Sequence, residues 1–264
     1  MRLAARFLRS LRSRSFGAIS AMKLCAIALL APALCLAQAD YAREKRWADE
    51  ITPAIIVGDP VYLELKSGHR FLAIYAPNPK PGAGVIVVHG SGLHPDWGLI
   101  NALRSRLAEQ GYTTLSVQMP VLAAEARGDQ YLPLFPEAAE RLQAAVTFLR
   151  SKGLKKVAIV SHSMGSRMTN HFLANATDPQ IDAWVAIGIL GEFTQAGKFK
   201  VPVLDLYGEK DNPAVLDTAG KRAAAIRRVR GSGQVQVAGA DHFFASMENE
   251  LVRQVRQFLD ARLR

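Results

Sequence analysis

Three segments of the chain carry groups suited to acyl transfer. Residues 158–166 read AIVSHSMGS, an apolar run that stops at Ser163 inside the frame Ser161-His162-Ser163-Met164-Gly165. A serine hydroxyl becomes a useful nucleophile only when a neighbouring base takes its proton. Small residues two positions to either side allow the tight strand-to-helix turn of the G-x-S-x-G pattern, which exposes the hydroxyl. Here Gly165 supplies the second small residue and Ser161 stands in place of the first glycine. Downstream, Gly208-Glu209-Lys210-Asp211-Asn212-Pro213 follows one apolar run, and Gly239-Ala240-Asp241-His242-Phe243-Phe244 follows the last one. The order Ser, Asp, His suits three groups that meet at the carboxyl ends of parallel strands. Ser163 is therefore the candidate nucleophile, His242 the base that takes and returns its proton, and Asp211 the carboxylate that fixes the imidazole tautomer. Asp205, inside Val203-Leu204-Asp205-Leu206-Tyr207, is the second choice for the acid, and its apolar setting demands a partner.

A developing oxyanion needs two backbone N–H donors. Met164, directly after the nucleophile, offers one. The segment Val88-His89-Gly90-Ser91-Gly92 offers the other, from Ser91 or alternatively from Gly92. These glycines do not make a nucleotide phosphate cradle, because the spacing G-x-x-x-x-G-K-[ST] is missing. His162, the variable residue of the turn, is expected to pack or to hydrogen-bond. No metal is expected, since His69, His94 and His171 fit no ligand spacing, and no cofactor is implied.

The elements that must position these groups follow from periodicity. Val61–Leu65 and Phe71–Tyr75 read as strands joined through Ser67-Gly68-His69. Val85–Val88, Thr113–Val117, Val157–Val160, Ile181–Ile189, Val203–Tyr207 and Val235–Val237 read as further strands, the continuous apolar ones buried on both faces. Leu99, Ile100, Leu103 and Leu107 recur at helical spacing before Gly111, and Leu142, Ala145, Val146 and Leu149 do so between Pro136 and Gly153. A helix is expected from about Val215 to Arg228, and a last amphipathic one carries Met247, Leu251, Val255, Phe258 and Leu259. Strands alternating with helices predict an α/β domain whose sheet is mostly parallel, with about eight strands flanked by helices.

The first 39 residues differ in kind. Six cations without an acid, the apolar stretch Leu24–Leu36 and Ala37-Gln38-Ala39 describe a secretory signal peptide cleaved before Asp40, with Met22 as an alternative start. The thirteen apolar residues are short for a membrane span. The expected organisation is a removed leader over 1–39, an N-terminal extension over 40–59 and a catalytic domain over 60–264. Six of the formal +10 charges leave with the leader, so the remaining charge is ordinary and nucleic acid is not an expected partner. The clusters Lys221-Arg222 and Arg227-Arg228-Val229-Arg230 read as solvated helix faces. Cys25 and Cys35 both lie in the leader, which excludes a thiol nucleophile or a disulfide framework from the rest.

Strand order, the Ser163 turn, the Gly-Glu-x-Asp turn and Gly-Ala-Asp-His-Phe-Phe together resemble the alpha/beta-hydrolase superfamily, in its dienelactone-hydrolase-like branch, over about residues 60–262. The stretches HPDW, QMP and VLDLYGEKD are also similar to an uncharacterised group of exported bacterial hydrolase-like proteins. The resemblance implies an alpha/beta-hydrolase fold and an exported, periplasmic or secreted serine hydrolase that cleaves an ester-type bond through an acyl-enzyme. Two departures, Ser161 for glycine and serine in place of a cysteine nucleophile, argue against lactone chemistry.

Only about a dozen residues, Leu190–Pro202, separate two strands where lipases insert a lid, so the cap is minimal and the substrate a small ester or acyl compound. Leu190, Phe193 and Phe243 are expected as apolar walls, and Tyr131, in the long loop Gln118–Pro133, as a further contact. Asp96, before Trp97, reads equally as a helix N-cap or a binding residue. A hydrolase fold that has lost turnover and serves as a binding protein of the cell envelope is the alternative, kept open by Ser161.

Overall fold

The computed structural model describes residues 39–80 and 82–263. The predicted leader, residues 1–39, falls outside these residues except for Ala39.

Eight strands form one sheet: β1 (Asp59–Glu64), β2 (Arg70–Ala76), β3 (Ala83–Val88), β4 (Thr113–Val117), β5 (Lys156–His162), β6 (Ala183–Ile187), β7 (Val203–Lys210) and β8 (Gly233–Asp241). Their order is β1-β2-β4-β3-β5-β6-β7-β8. The β1–β2 and β2–β4 pairs are antiparallel and all other pairs are parallel. The expected opening hairpin is present, with Val61 opposite Ala73.

Seven helices connect them: α1 (Tyr41–Ile51), α2 (Gly98–Glu109), α3 (Phe135–Ser151), α4 (Met164–Asn175), α5 (Pro213–Leu216), α6 (Ala219–Ile226) and α7 (Glu248–Leu263). Period-two alternation sorts the central strands between two cores. Ile86, Val88, Val157 and Ile159 face α3 and α4 through Leu142, Val146, Leu149, Met168 and Phe172. Val85, Val87, Ala158 and Val160 face α2 and α7 through Leu99, Leu103, Leu107, Leu251 and Val255. Both faces of these strands are therefore buried, which is why they read as continuous apolar runs. Gly111 and Gly153, at φ 97° and 82°, close the ends of α2 and α3 as the sequence predicts.

Two expectations are corrected, the helix over 215–228 and the exposure of Arg222. The helix expected over 215–228 is two short helices, α5 and α6, interrupted at Asp217 and Thr218. The N-terminal extension before β1 contains α1, capped by Asp40, whose carboxylate accepts the Arg43 N–H at 2.9 Å. Glu44 on α1 is buried and accepts two hydrogen bonds from the fully buried Arg141 of α3, at 2.9 and 3.1 Å, while Tyr41 donates to Glu137 at 3.1 Å and stacks on His69. Its polar surface disguised α1, because the face it buries is ionic. Arg222, expected on a solvated face, is fully buried.

Candidate active site

Ser163 lies between β5 and α4 with φ 56° and ψ −120°. A non-glycine residue with this backbone is strained by about 1–3 kcal/mol and persists only where the surroundings impose it. Here they do: the Ser163 N–H donates to the Ile187 carbonyl at 2.8 Å, and its carbonyl accepts from Ser166 N–H at 3.0 Å. Gly165 is required by close approach, because a Cβ there would sit 2.3 Å from the His89 carbonyl oxygen. Ser161, by contrast, fits the first small position. Its hydroxyl is buried and accepts the Trp184 indole N–H at 2.8 Å, so the departure from glycine has its polar group satisfied.

Asp211 and His242 reach the same sheet edge from neighbouring strands. His242 Nε2 is 3.0 Å from Ser163 Oγ, and His242 Nδ1 is 2.5 Å from Asp211 Oδ1. The geometry selects Nδ1–H as donor to the carboxylate, leaving Nε2 free to accept the serine proton. Burial raises the Asp211 carboxyl, but the bond from His242, the charge of that imidazole and the N–H groups of Asn212 and Gly208 outweigh it and hold the group below its ordinary range. Asp211 is thus a fixed anion facing the imidazole.

Two glycines make this pairing possible. Gly208 brings β7 against β8 at a register irregularity, where a Cβ would lie 2.3 Å from the Ala240 carbonyl oxygen. Gly188, at the end of β6 with φ 53°, leaves the room occupied by His242, since a Cβ there would be 3.1 Å from His242 Nδ1. The motif reading passed over Gly188. Its signal in the sequence is a lone glycine closing an otherwise apolar strand, Ala183-Trp184-Val185-Ala186-Ile187-Gly188.

Asp205 is elsewhere. Both its side chain and that of Arg222 are fully buried, the pair meets at 2.9 Å, and Gln234 donates to the same carboxylate at 2.7 Å. It anchors α6 and β8 to β7 and makes no contact with His242.

Of the donors expected for an oxyanion, Met164 directly follows Ser163 and Ser91 lies in the loop after β3. Met164 is the first residue of α4, so its N–H has no partner within the helix, and the N–H of Ser91 takes part in none of the turn or loop backbone bonds among the described residues. Gly90 packs against Ser163, with a Cβ there only 3.1 Å from Ser163 Cβ. The loop is held by His89, which donates from Nδ1 to the Gly90 carbonyl at 2.8 Å and accepts the Met119 N–H on Nε2 at 2.9 Å. Burial drives this imidazole down to about 3, so it is a neutral linker. His162 is also buried and driven by burial to about 3. Its Nε2–H donates to the His242 carbonyl at 2.9 Å, tying the turn to the backbone of the base.

The expected walls divide. Phe243 is half exposed, and its ring lies 5.1 Å from that of His242 and 5.4 Å from Trp97. Leu190 packs partly buried against Tyr207 and Val215. Phe193 is instead buried in an aromatic group with Trp184 and Phe199, and Tyr131 is buried with its hydroxyl accepting from Leu122 N–H at 3.4 Å. Both are core residues, because each ring finds an apolar cluster within reach of its own segment. Asp96 does not cap α2, which starts without a side-chain cap; it accepts from Arg104 and Asn101.

Residues 134–261 match the model of a family described as Protein of unknown function (DUF3530), a span that includes Ser163, Asp211 and His242. Comparison with curated proteins gave no match. Among solved structures, a dienelactone hydrolase from Anabaena variabilis is similar at 18% identity and a TM-score of 0.65, covering 78% of this chain and 97% of that one. An esterase from Pyrococcus furiosus is similar at 14% identity and a TM-score of 0.63, with 79% and 96% covered. An a/b serine hydrolase without lid from Xanthomonas campestris is similar at 14% identity and a TM-score of 0.60, with 78% and 95% covered. The sheet order, the strained serine at its centre and these likenesses agree on one conclusion: the chain has the alpha/beta-hydrolase fold.

Proposed function

We propose that the chain is a serine hydrolase that cleaves an ester-type acyl bond, and that it works outside the cytoplasm after removal of residues 1–39. The observation that carries this reading is the continuous chain of contacts Ser163 Oγ, His242 and Asp211, at 3.0 and 2.5 Å. His242 takes the hydroxyl proton as Ser163 attacks the acyl carbon, and the N–H groups of Met164 and Ser91 receive the charge that collects on the carbonyl oxygen. His242 then returns the proton to the leaving alkoxide, leaving an acyl-serine. Water, deprotonated by the same imidazole, releases the acid and restores the hydroxyl. Asp211 stabilises the imidazolium formed in both halves.

The short connection between β6 and β7, with a single 3-10 turn at Ala196–Lys198, supports a site without a large lid, and the Xanthomonas likeness is of the same kind. The satisfied hydroxyl of Ser161 supports an intact turn at Ser163 and so the reading with turnover. Cleavage before Asp40 would leave the cap of α1 in place.

One experiment tests both parts. A fluorophosphonate probe applied to the periplasmic fraction of expressing cells should label the protein at Ser163, and the intact mass of the labelled species should correspond to a chain starting at Asp40. Ser163→Ala should abolish labelling and lower turnover of p-nitrophenyl butyrate by more than about 1,000-fold. A folded wild-type protein that resists the probe would sink the hydrolase reading; a labelled chain retaining the leader would sink export.

A further inference from the structure

Helix α1 lies outside the span matched by the family model, yet it is welded to the domain beside the site. Asp40 N–H donates to the Val121 carbonyl at 2.7 Å, and Glu44 accepts from Val121 N–H at 3.4 Å as well as from buried Arg141. A buried ion cluster of this kind adds little net stability but fixes an element in one place. What it fixes here is Arg43. The guanidinium donates from Nη1 to the Leu122 carbonyl at 2.7 Å, and its carbon lies 4.5 Å from the centre of the Trp47 ring. Its Nη2 sits 4.0 Å from where a Cβ on Gly92 would be.

Gly92 belongs to the loop that carries Ser91 and whose Gly90 packs on Ser163, so one residue, Ser91, and roughly 7 Å of chain separate the packed glycine from the one beside Arg43. No carboxylate among the described residues pairs with Arg43, although Arg104, Arg141 and Arg222 each have one. Trp47 on α1 meets His94 of the same loop at 5.7 Å, and Trp97 at the loop's end meets Phe243 at 5.4 Å. A planar cation with free donors, oriented by a ring and a carbonyl, matches a carboxylate in a way that a flexible lysine would not.

Resting on the serine-hydrolase reading, we infer that Arg43 is a specificity-determining residue that binds an anionic group, a carboxylate, at the far end of the substrate arm running over Gly92 from the scissile carbonyl. The substrate class is then an ester of a dicarboxylic acid, or an acyl compound with a terminal acid, and α1 is one wall of its site.

The test compares two fluorophosphonates with the same alkyl chain, one ending in a carboxylate and one in a methyl group. Their second-order rates of labelling Ser163 are measured on wild type, Arg43→Gln and Arg46→Gln, the last being an exposed cation on the same helix. The carboxylate probe should react faster with wild type, by tenfold or more, and the advantage should shrink as salt is added. Arg43→Gln should remove that ratio and Arg46→Gln should keep it. Because the methyl probe is the internal reference, a loss of fold in Arg43→Gln slows both probes together and is told apart; an Arg43→Lys variant then supplies the comparison, and it should keep only part of the ratio. Equal rates in wild type, or an unchanged ratio in both Arg43 variants, overturns the inference and leaves the hydrolase reading standing. Failure of both probes on wild type overturns the two together.

Discussion

Two aspartates six residues apart in the sequence have opposite surroundings. Asp211 faces the His242 imidazole, which on the proposed mechanism gains and loses a proton; Asp205 faces the Arg222 guanidinium, which stays charged. Asp211→Asn keeps the shape but lets the imidazole take the wrong tautomer, so turnover should fall by about 10⁴-fold while the melting temperature stays within a few degrees. Asp205→Asn leaves the buried Arg222 charge uncompensated, at a cost of about 3–5 kcal/mol. It should therefore lower the melting temperature sharply, with the fraction still folded retaining its rate. Kinetics and thermal denaturation on the same two variants check both outcomes, and loss of activity in a folded Asp205→Asn protein would reverse the assignment.

At the scale of elements, the ends of β5, β6, β7 and β8 place the three groups, and glycines decide how closely. Gly188→Ala forces a side chain onto a backbone with φ 53° and pushes at His242. A displacement of about 1 Å at the base is worth roughly a hundredfold in rate. Turnover should drop by about that much, with Ser163 still present and its labelling slowed in proportion; a variant with wild-type rates would show that the base has room to spare. Most strands and the Ser163, Asp211 and His242 positions were legible in the sequence because each rests on local signals: apolar runs, turn residues and chain order. The helix α1 was not. Its buried residues are Glu44 and Ala48 rather than an aliphatic stripe, and only the distant Arg141 explains a buried glutamate. Phe193 and Tyr131 were misplaced for a related reason: an aromatic near a site in sequence joins whichever apolar cluster is nearest in space.

For the molecule as a whole, two neutral imidazoles inside the fold set a response to acid. Burial holds His89 and His162 at about 3, against an ordinary value of 6.5. The unfolded chain takes up protons on both below about pH 6.5, whereas the folded chain refuses them until about pH 3. Their contribution to stability is therefore complete above pH 6.5 and is lost as pH falls through that window. Chemical denaturation at pH 7.5, 6 and 4.5 should show unfolding free energy declining, and His162→Gln should decline less steeply than wild type. A stability that is flat over this range would contradict neutral burial of the two rings.

The three tryptophans divide the molecule by the light they would emit. Trp184 is fully buried and gives its indole N–H to Ser161 directly beneath the strained turn, so it absorbs and emits from a dry, rigid setting. Trp47, on α1, lies against Arg43, and Trp97, at the end of the loop after β3, lies against Phe243. The bluer emission should therefore come from Trp184 and the redder from Trp47 and Trp97, so a compound binding over Gly92 should change the second and leave the first as a reference within the same chain.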